Sequence, residues 1–249
     1  MKLTDKQEEI FSRQILMKSI GEEGQLKLLK AKVLVVGCGG LGAPVLLYLT
    51  AMGIGHLGLC DNDTVALSNL NRQVLFTPND VGKSKALTAQ KQLKTLNPTL
   101  DTTVYNQTMD EKLAKSIVQD YDIVLDCLDN FDTRFVLGDA CLELDKPLIH
   151  AGVDEFYGQL MTIIPGKSPC LRCLFPDGLI KEKRNKTFGI IGTTPAILGS
   201  MQAMEAAKLL LGLDVFTNGL ITYDGLEQTL DNVTISAVET CLCKIYGVE

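Results

Sequence analysis

The chain has 249 residues, long enough for one α/β domain with a substantial core. Its formal net charge of −6 argues against a nucleic-acid-binding surface, which needs clustered Lys and Arg. No apolar run approaches the ~20 residues that cross a bilayer, and the opening Met-Lys-Leu-Thr-Asp-Lys-Gln lacks the apolar stretch of a signal peptide. A cytoplasmic location is therefore expected, with thiols kept reduced. The eight cysteines are then read as buried thiols, metal ligands or catalysts.

Residues 1–30 read as helices: Thr4 with Gln7 fits a capping box, and Ile10, Phe11, Ile15 and Leu16 follow at helical spacing. The β-branched run 33–36 suits a strand buried on both faces. A helix over 41–52 tolerates Pro44 only because that residue lies in its first turn. A second strand over 56–60 ends at Asp61. A helix over 83–96 stops before Asn97-Pro98. Strand 102–105, helix 111–119, strand 123–125, helix 131–144 and a strand entered through 147–150 continue the alternation. Strands alternating with helices of this length predict right-handed crossovers and a mostly parallel, Rossmann-like sheet.

Beyond residue 152 the rhythm changes. Residues 158–164 read as an antiparallel strand, 165–176 as a turn-rich loop with two cysteines, and 181–186 as a charged, solvated run. A helix over 195–211 is bracketed by Pro195 and Gly212, and two late strands fall near 220–223 and 229–235. The expected organisation is a single unit over 1–249. Its parts are N-terminal helices to residue 30, a nucleotide-binding part over 31–152 and an antiparallel C-terminal lobe over 153–249.

Gly37-Cys38-Gly39-Gly40-Leu41-Gly42 satisfies G-x-G-x-x-G between a predicted strand and a predicted helix. Glycines let the backbone approach phosphate oxygens, and the helix N-terminus offers unpaired N–H groups. Asp61 is placed to bind ribose hydroxyls. The loop alone leaves NAD and ATP both open.

Arg72 and Lys85 favour ATP. They follow the acid within Ser68-Asn69-Leu70-Asn71-Arg72-Gln73 and the run 81–85, and hydride transfer has no evident need of them. Chemistry at a triphosphate does, because departing pyrophosphate must be neutralised. Asp126-Cys127-Leu128-Asp129-Asn130 ends the fourth parallel strand, where an aspartate can hold Mg²⁺ through oxygen ligands.

With these motifs the chain resembles the MoeB/ThiF/HesA adenylyltransferases of molybdopterin and thiamine biosynthesis, relatives of the ubiquitin-activating enzymes. The resemblance runs through Phe11 to Leu16, the glycine loop, Asp61-Asn62-Asp63, Ser68 to Gln73, residues 81–85, Asp126 to Asn130, Phe156 to Gln159 and residues 199–206. It implies ATP·Mg²⁺ held by Gly37, Gly39, Gly40, Gly42, Asp61, Asp63, Asn69, Arg72, Gln73, Lys85, Leu128, Asp129 and Asn130. It assigns Asp129 to the magnesium ion and Arg72 and Lys85 to the triphosphate. Arg13 matches an arginine that reaches the neighbouring subunit's site, which implies a homodimer. The implied reaction is adenylation of the C-terminal glycine carboxylate of a ubiquitin-like sulfur-carrier protein ending in Gly-Gly. Adenylation of a peptide or other carboxylate, an NAD-binding oxidoreductase and a catalytically silent partner subunit are the competing readings.

Cys170-x-x-Cys173 and Cys241-x-Cys243 can close a tetrahedral structural Zn²⁺ site from two loops, as the resembled family does with four cysteines. Cys241-x-Cys243 is one residue tighter than the family's second pair, which leaves open that one of the two is not a ligand. Cys38, Cys60, Cys127 and Cys141 read as inert buried thiols. The stretch 184–195 holds no cysteine where relatives often carry one, so adenylation without a stable covalent carrier intermediate is expected. His56 and His150 read as structural.

Overall fold

A computed structural model describes residues 2–176 and 189–247; the charged run 181–186 lies outside them. Three short helices open the chain: α1 (Asp5–Ile10), α2 (Ser12–Ile15) and α3 (Gly21–Lys30). Thr4 caps α1 reciprocally with Gln7, as the sequence predicts. The parallel part follows as β1 (Lys32–Val36), α4 (Gly42–Ala51), β2 (His56–Cys60), α5 (Lys85–Leu96), β3 (Asp101–Tyr105), α6 (Glu111–Ile117), β4 (Ile123–Asp126), α7 (Phe131–Glu143) and β5 (Leu148–Asp154). Then come β6 (Tyr157–Ile163), α8 (Leu171–Leu174), α9 (Thr193–Leu211), β7 (Gly219–Asp224), β8 (Thr229–Thr234) and α10 (Leu242–Ile245). No described helix is long and apolar enough to cross a membrane.

All eight strands form one sheet in the order β3-β2-β1-β4-β5-β6-β7-β8. Neighbours from β3 to β5 pair in parallel, and β6 to β8 extend the sheet antiparallel. The strand order reverses between β1 and β4, which leaves a crevice at their C-terminal ends.

Strand alternation divides the core. Val33 and Val35 of β1, with Ile123 and Leu125 of β4, face α4, α5 and α9. Leu34 and Val36, with Val124, face α6, α7 and α8. With both faces covered, these strands are apolar at nearly every position. Each such fully buried Val or Leu contributes about 1.5–3 kcal/mol, an upper bound because real unfolded chains already bury some surface.

Some helices begin elsewhere than the sequence suggests, for local reasons. Helix α5 starts at Lys85 because Ser84 is its N-cap, its hydroxyl accepting the Leu87 N–H at 3.4 Å. Helix α9 starts at Thr193, which leaves Pro195 within the first turn. It ends at Gly212, whose φ of 75° is the left-handed cap conformation. Gly199 lets α9 cross α4: a Cβ there would lie 2.5 Å from the Leu41 carbonyl oxygen.

Candidate active site

The loop between β1 and α4 uses its glycines in two ways. Gly37 has φ +98°, and a Cβ there would lie 2.4 Å from the Cys127 carbonyl oxygen. A Cβ on Gly42 would lie 1.9 Å from the Gly37 carbonyl oxygen. Both are demanded by the protein's own packing. At Gly39 the nearest atom to such a Cβ is Gln73 Nε2 at 3.4 Å, and at Gly40 it is Pro195 at 3.4 Å. The chain's own packing does not demand glycine at either position, since a Cβ would make only ordinary contacts, with Gln73 at Gly39 and with Pro195 and Arg72 at Gly40. Helix α4 begins at Gly42 with no side-chain cap; the Ala43 N–H donates to the Gly39 carbonyl at 2.9 Å and Pro44 carries no N–H, so the first turn closes on the loop itself.

Asp61 closes β2 beside the loop. Its Oδ2 accepts the Cys38 N–H at 2.7 Å and its Oδ1 accepts the Asp63 N–H at 2.8 Å. Burial pushes its carboxyl above the usual range, against these two bonds and nearby Lys85. Lys85 is buried and its Nζ lies 2.8 Å from Asp63 Oδ2. The segment holding it is stitched by backbone bonds from Lys85 N–H to Asp63 (2.9 Å) and from Val65 N–H to Lys83 (2.8 Å). Asp80 fixes the approach to α5 by accepting from the Thr77 N–H, the Thr77 hydroxyl and Lys83.

Asn69 ends a short 3₁₀ turn, its Oδ1 accepting the Ala66 N–H at 3.0 Å. Arg72 is half-buried, its Nη1 donating to the Ser68 carbonyl at 3.0 Å and to Asn71 Oδ1 at 2.9 Å. The start of α9 leans on it: a Cβ on Gly192 would lie 2.4 Å from the Asn71 carbonyl oxygen and 3.3 Å from Arg72 Cα. Gln73 is buried and its Oε1 has no hydrogen-bond partner among the described residues.

Leu128, Asp129 and Asn130 follow β4 on the other side of the crevice. Asn130 has a structural duty as the N-cap of α7, accepting the Thr133 N–H at 2.9 Å. Asp129 is exposed, and its carboxylate has no hydrogen-bond partner among the described residues, which suits a hard cation. The structure thus gathers the glycine loop, Asp61, Asp63, Asn69, Arg72, Gln73, Lys85 and Leu128 to Asn130 at the C-terminal edge of β1, β2 and β4. Arg13 does not join them. It is exposed on α2, whose neighbour Gln14 donates to the Met52 carbonyl at the far end of α4, opposite the glycine loop.

Three buried residues lie below this edge: Asp126 of the strand-end run, His150, read from sequence as structural, and Arg134, which the sequence reading did not single out. Fully buried Asp126 receives His150 Nδ1 at 2.6 Å and has Arg134 Nε 3.5 Å away. Burial opposes its charge, but Arg134 and the His150 bond outweigh burial and hold it below the usual carboxylate range. Burial depresses His150, which stays neutral at pH 7. Only in space do these groups meet; Arg134 alone reads as one more helix charge.

The four cysteines Cys170, Cys173, Cys241 and Cys243 converge, all buried, with their sulfurs within 4.8 Å of one another. Cys170 to Cys241 is 3.3 Å and Cys173 to Cys243 is 3.4 Å. Tetrahedral Zn–S bonds of ~2.3 Å set sulfurs about 3.8 Å apart, so the set can hold a metal ion. The tighter second pair keeps both its members in reach, because Cys241 caps α10 and Cys243 lies just inside it. Burial pushes Cys170 up and Cys243 to about 12, so an opposing cation is what would make them thiolates. Arg172 ties the knuckle to α7 through both Asp139 oxygens, at 2.8 and 2.6 Å. The remaining thiols match the inert reading: burial raises Cys38, Cys127 and Cys141, and Cys60 to about 12.

Known proteins share this architecture. The chain is 40% identical to the sulfur carrier protein adenylyltransferase of Thermus thermophilus, over 97% of this chain and 92% of the relative. It is 40% identical to the sulfur carrier protein ThiS adenylyltransferase of Escherichia coli, over 93% and 92%. Against the adenylyltransferase and sulfurtransferase MOCS3 of Xenopus laevis it is 42% identical and spans about half of that longer protein, 51%. The crystal structure of E. coli MccB with ATP superposes with a TM-score of 0.80 at 26% identity, covering 88% of this chain and 68% of that one. A family model described as the ThiF family matches residues 11–244, and the chain belongs to that family.

Proposed function

We propose that the protein is an ATP-dependent adenylyltransferase that activates the C-terminal glycine carboxylate of a ubiquitin-like sulfur-carrier protein ending in Gly-Gly. The observation that carries this reading is that Gly39 and Gly40, glycines the protein's own packing does not demand, lie at one crevice edge with Lys85, Arg72 and Asp129. The named relatives supply the substrate class.

On this reading the phosphates lie over Gly39 and Gly40, and Asp61 holds the ribose. Asn69, Gln73, Leu128 and Asn130 shape the nucleotide pocket. A Mg²⁺ ion held at Asp129 supplies charge neutralisation on the phosphates. The carrier carboxylate is already ionised at pH 7 and needs no general base. Its oxygen bonds to the α-phosphorus while the bond from that phosphorus to the bridging oxygen breaks, and the electron pair leaves with pyrophosphate. Lys85 and Arg72 stabilise that departing charge. Residues 31–152 hold the nucleotide, and the part beyond residue 153 receives the carrier. Its tail enters by the open cleft lined by Asn71, Glu155, Phe156, Ile190, Ile191 and Gly192, beside Arg72. Cys170, Cys173, Cys241 and Cys243 hold a structural Zn²⁺. Arg13, remote from its own site, completes the partner's site in a cytoplasmic homodimer.

ATP–pyrophosphate exchange with Gly-Gly-ending carriers, with and without Mg²⁺, tests the proposal. Carrier- and Mg²⁺-dependent exchange is expected. ATP binding without exchange for any carrier would overturn the carrier assignment and favour a peptide substrate. The fold similarity to MccB bound to MccA-N7isoASN (TM-score 0.85, 25% identity) favours that second reading.

A further inference from the structure

Adenylation at the crevice edge does not itself call for a buried ionic cluster, yet one lies directly beneath Asp129. The two carboxylate oxygens of Asp126 are used separately: Oδ1 accepts the Leu128 N–H at 3.0 Å, and Oδ2 faces His150 Nδ1 at 2.6 Å. Arg134 Nη2 donates to the carbonyls of Leu128 and Ala151, the latter at 3.0 Å. Leu128 is therefore gripped at both its N–H and its C=O, and the next residue is Asp129. Gln159 Nε2 lies 3.2 Å from His150 Nε2. An ionised Asp126 can only accept, so His150 carries its proton on Nδ1 and takes the Gln159 amide on Nε2. Gln202 closes the cluster from α9, its Nε2 donating to the Asp126 and Ile149 carbonyls at 2.9 Å each. Phe175 meets the His150 ring edge-on at 6.1 Å.

Burying an ion pair of this kind is costly and is weak evidence for stability alone. Its geometry is directed instead at one backbone residue. We propose that Asp126, Arg134 and His150 form a clamp on Leu128 that aims the Asp129 carboxylate at the cation, with His150 as the positioning residue that reserves Asp126 Oδ1 for Leu128. The inference rests on the reading of Asp129 as the cation-holding residue.

His150→Phe keeps a ring against Phe175 and removes the donor; His150→Asn returns an N–H near the Nδ1 position. In carrier-dependent exchange at saturating ATP, His150→Phe is expected to raise the Mg²⁺ concentration for half-maximal rate about tenfold, the usual size for losing a ligand-orienting partner. The KM for the carrier stays unchanged, and His150→Asn returns the Mg²⁺ requirement towards that of the parent protein. Amide hydrogen exchange, which needs no activity, should show Leu128 protected in the parent protein and deprotected in His150→Phe. Should His150→Phe fail to fold, Arg134→Lys carries the same test, because it keeps the charge but loses the guanidinium Nη2 that donates to both carbonyls. An unchanged Mg²⁺ requirement, or a Leu128 amide still protected, overturns the clamp. Absence of exchange in the parent protein counts against the adenylation reading instead, and Leu128 protection then decides the clamp by itself.

Discussion

Replacing Gly37 and Gly39 separately by alanine should divide packing from ligand binding within one loop. At Gly37 the new Cβ must sit 2.4 Å from a backbone oxygen in a residue with φ +98°. Left-handed strain of about 1–3 kcal/mol and a clash of similar size give roughly 3 kcal/mol or more of destabilisation. For a chain of this size that lowers the melting temperature by roughly 6–12 °C. At Gly39 the φ is an ordinary one and the nearest atom is the end of the Gln73 side chain at 3.4 Å, so the unliganded protein should change by less than about 0.5 kcal/mol. The same methyl group stands where phosphate oxygens are proposed to rest. Thermal unfolding with and without Mg²⁺·ATP reads both effects. If ATP is present at about a hundred times its dissociation constant, the parent protein gains about 2.7 kcal/mol, and a tenfold weaker Gly39→Ala variant gains about 1.4 kcal/mol less. That difference amounts to roughly 3–6 °C of lost ATP-induced shift. A Gly39→Ala protein that melts normally and still gains the full shift would refute the argument that this glycine is vacant for phosphate.

Four further outcomes follow from the site. Asp129→Ala should abolish pyrophosphate exchange while the melting temperature holds, because the side chain is exposed and has no partner among the described residues; normal exchange would remove Asp129 from the mechanism. If Arg13 acts in the partner's site, inactive Arg13→Ala and Asp129→Ala proteins unfolded and refolded together should recover roughly a quarter of parental activity, since half the random dimers contain one intact site. No recovery would place Arg13 outside catalysis. Metal analysis should find zinc in the parent protein and little in Cys241→Ser or Cys243→Ser, with chelation lowering the melting temperature; full zinc content in either variant would show that its cysteine is not a ligand. Acid should weaken the fold through His150. Its folded pKa is depressed, so below about pH 6.5 the unfolded chain binds a proton that the folded chain refuses, and stability falls as pH falls. Denaturant midpoints between pH 7 and 5.5 should show a slope of at most about 1.4 kcal/mol per pH unit from this residue, and His150→Asn should remove it.

Much of this architecture is legible in the chain because its signals are local. The glycine loop, Asp61 and the alternation of apolar strands with capped helices all sit within short windows. So do Pro195 and Gly212 at the ends of α9. The cysteine pairs are also visible, but spacing alone overstates the strain of Cys241-x-Cys243. A cap position and the first turn of α10 turn both sulfurs to one point. What sequence hides is the pairing of distant charges. Arg134 meets Asp126, Leu128 and Ala151 only once β4, α7 and β5 are packed, and His150 reads as a lone histidine until β5 lies beside β4. Arg13 carries no local signal at all, because its place in the chain is at the wrong end of α4 for its own crevice.

The crevice draws its groups from residues 37–42, 61–73, 85 and 126–130, each delivered by a different strand or helix of one sheet. No excised half of the parallel part contains all of these groups, so the crevice is kept whole or lost. That indivisibility sets how such a unit can be recombined: segments can be joined before or after it, but a split between β1 and β4 leaves neither product with the complete crevice.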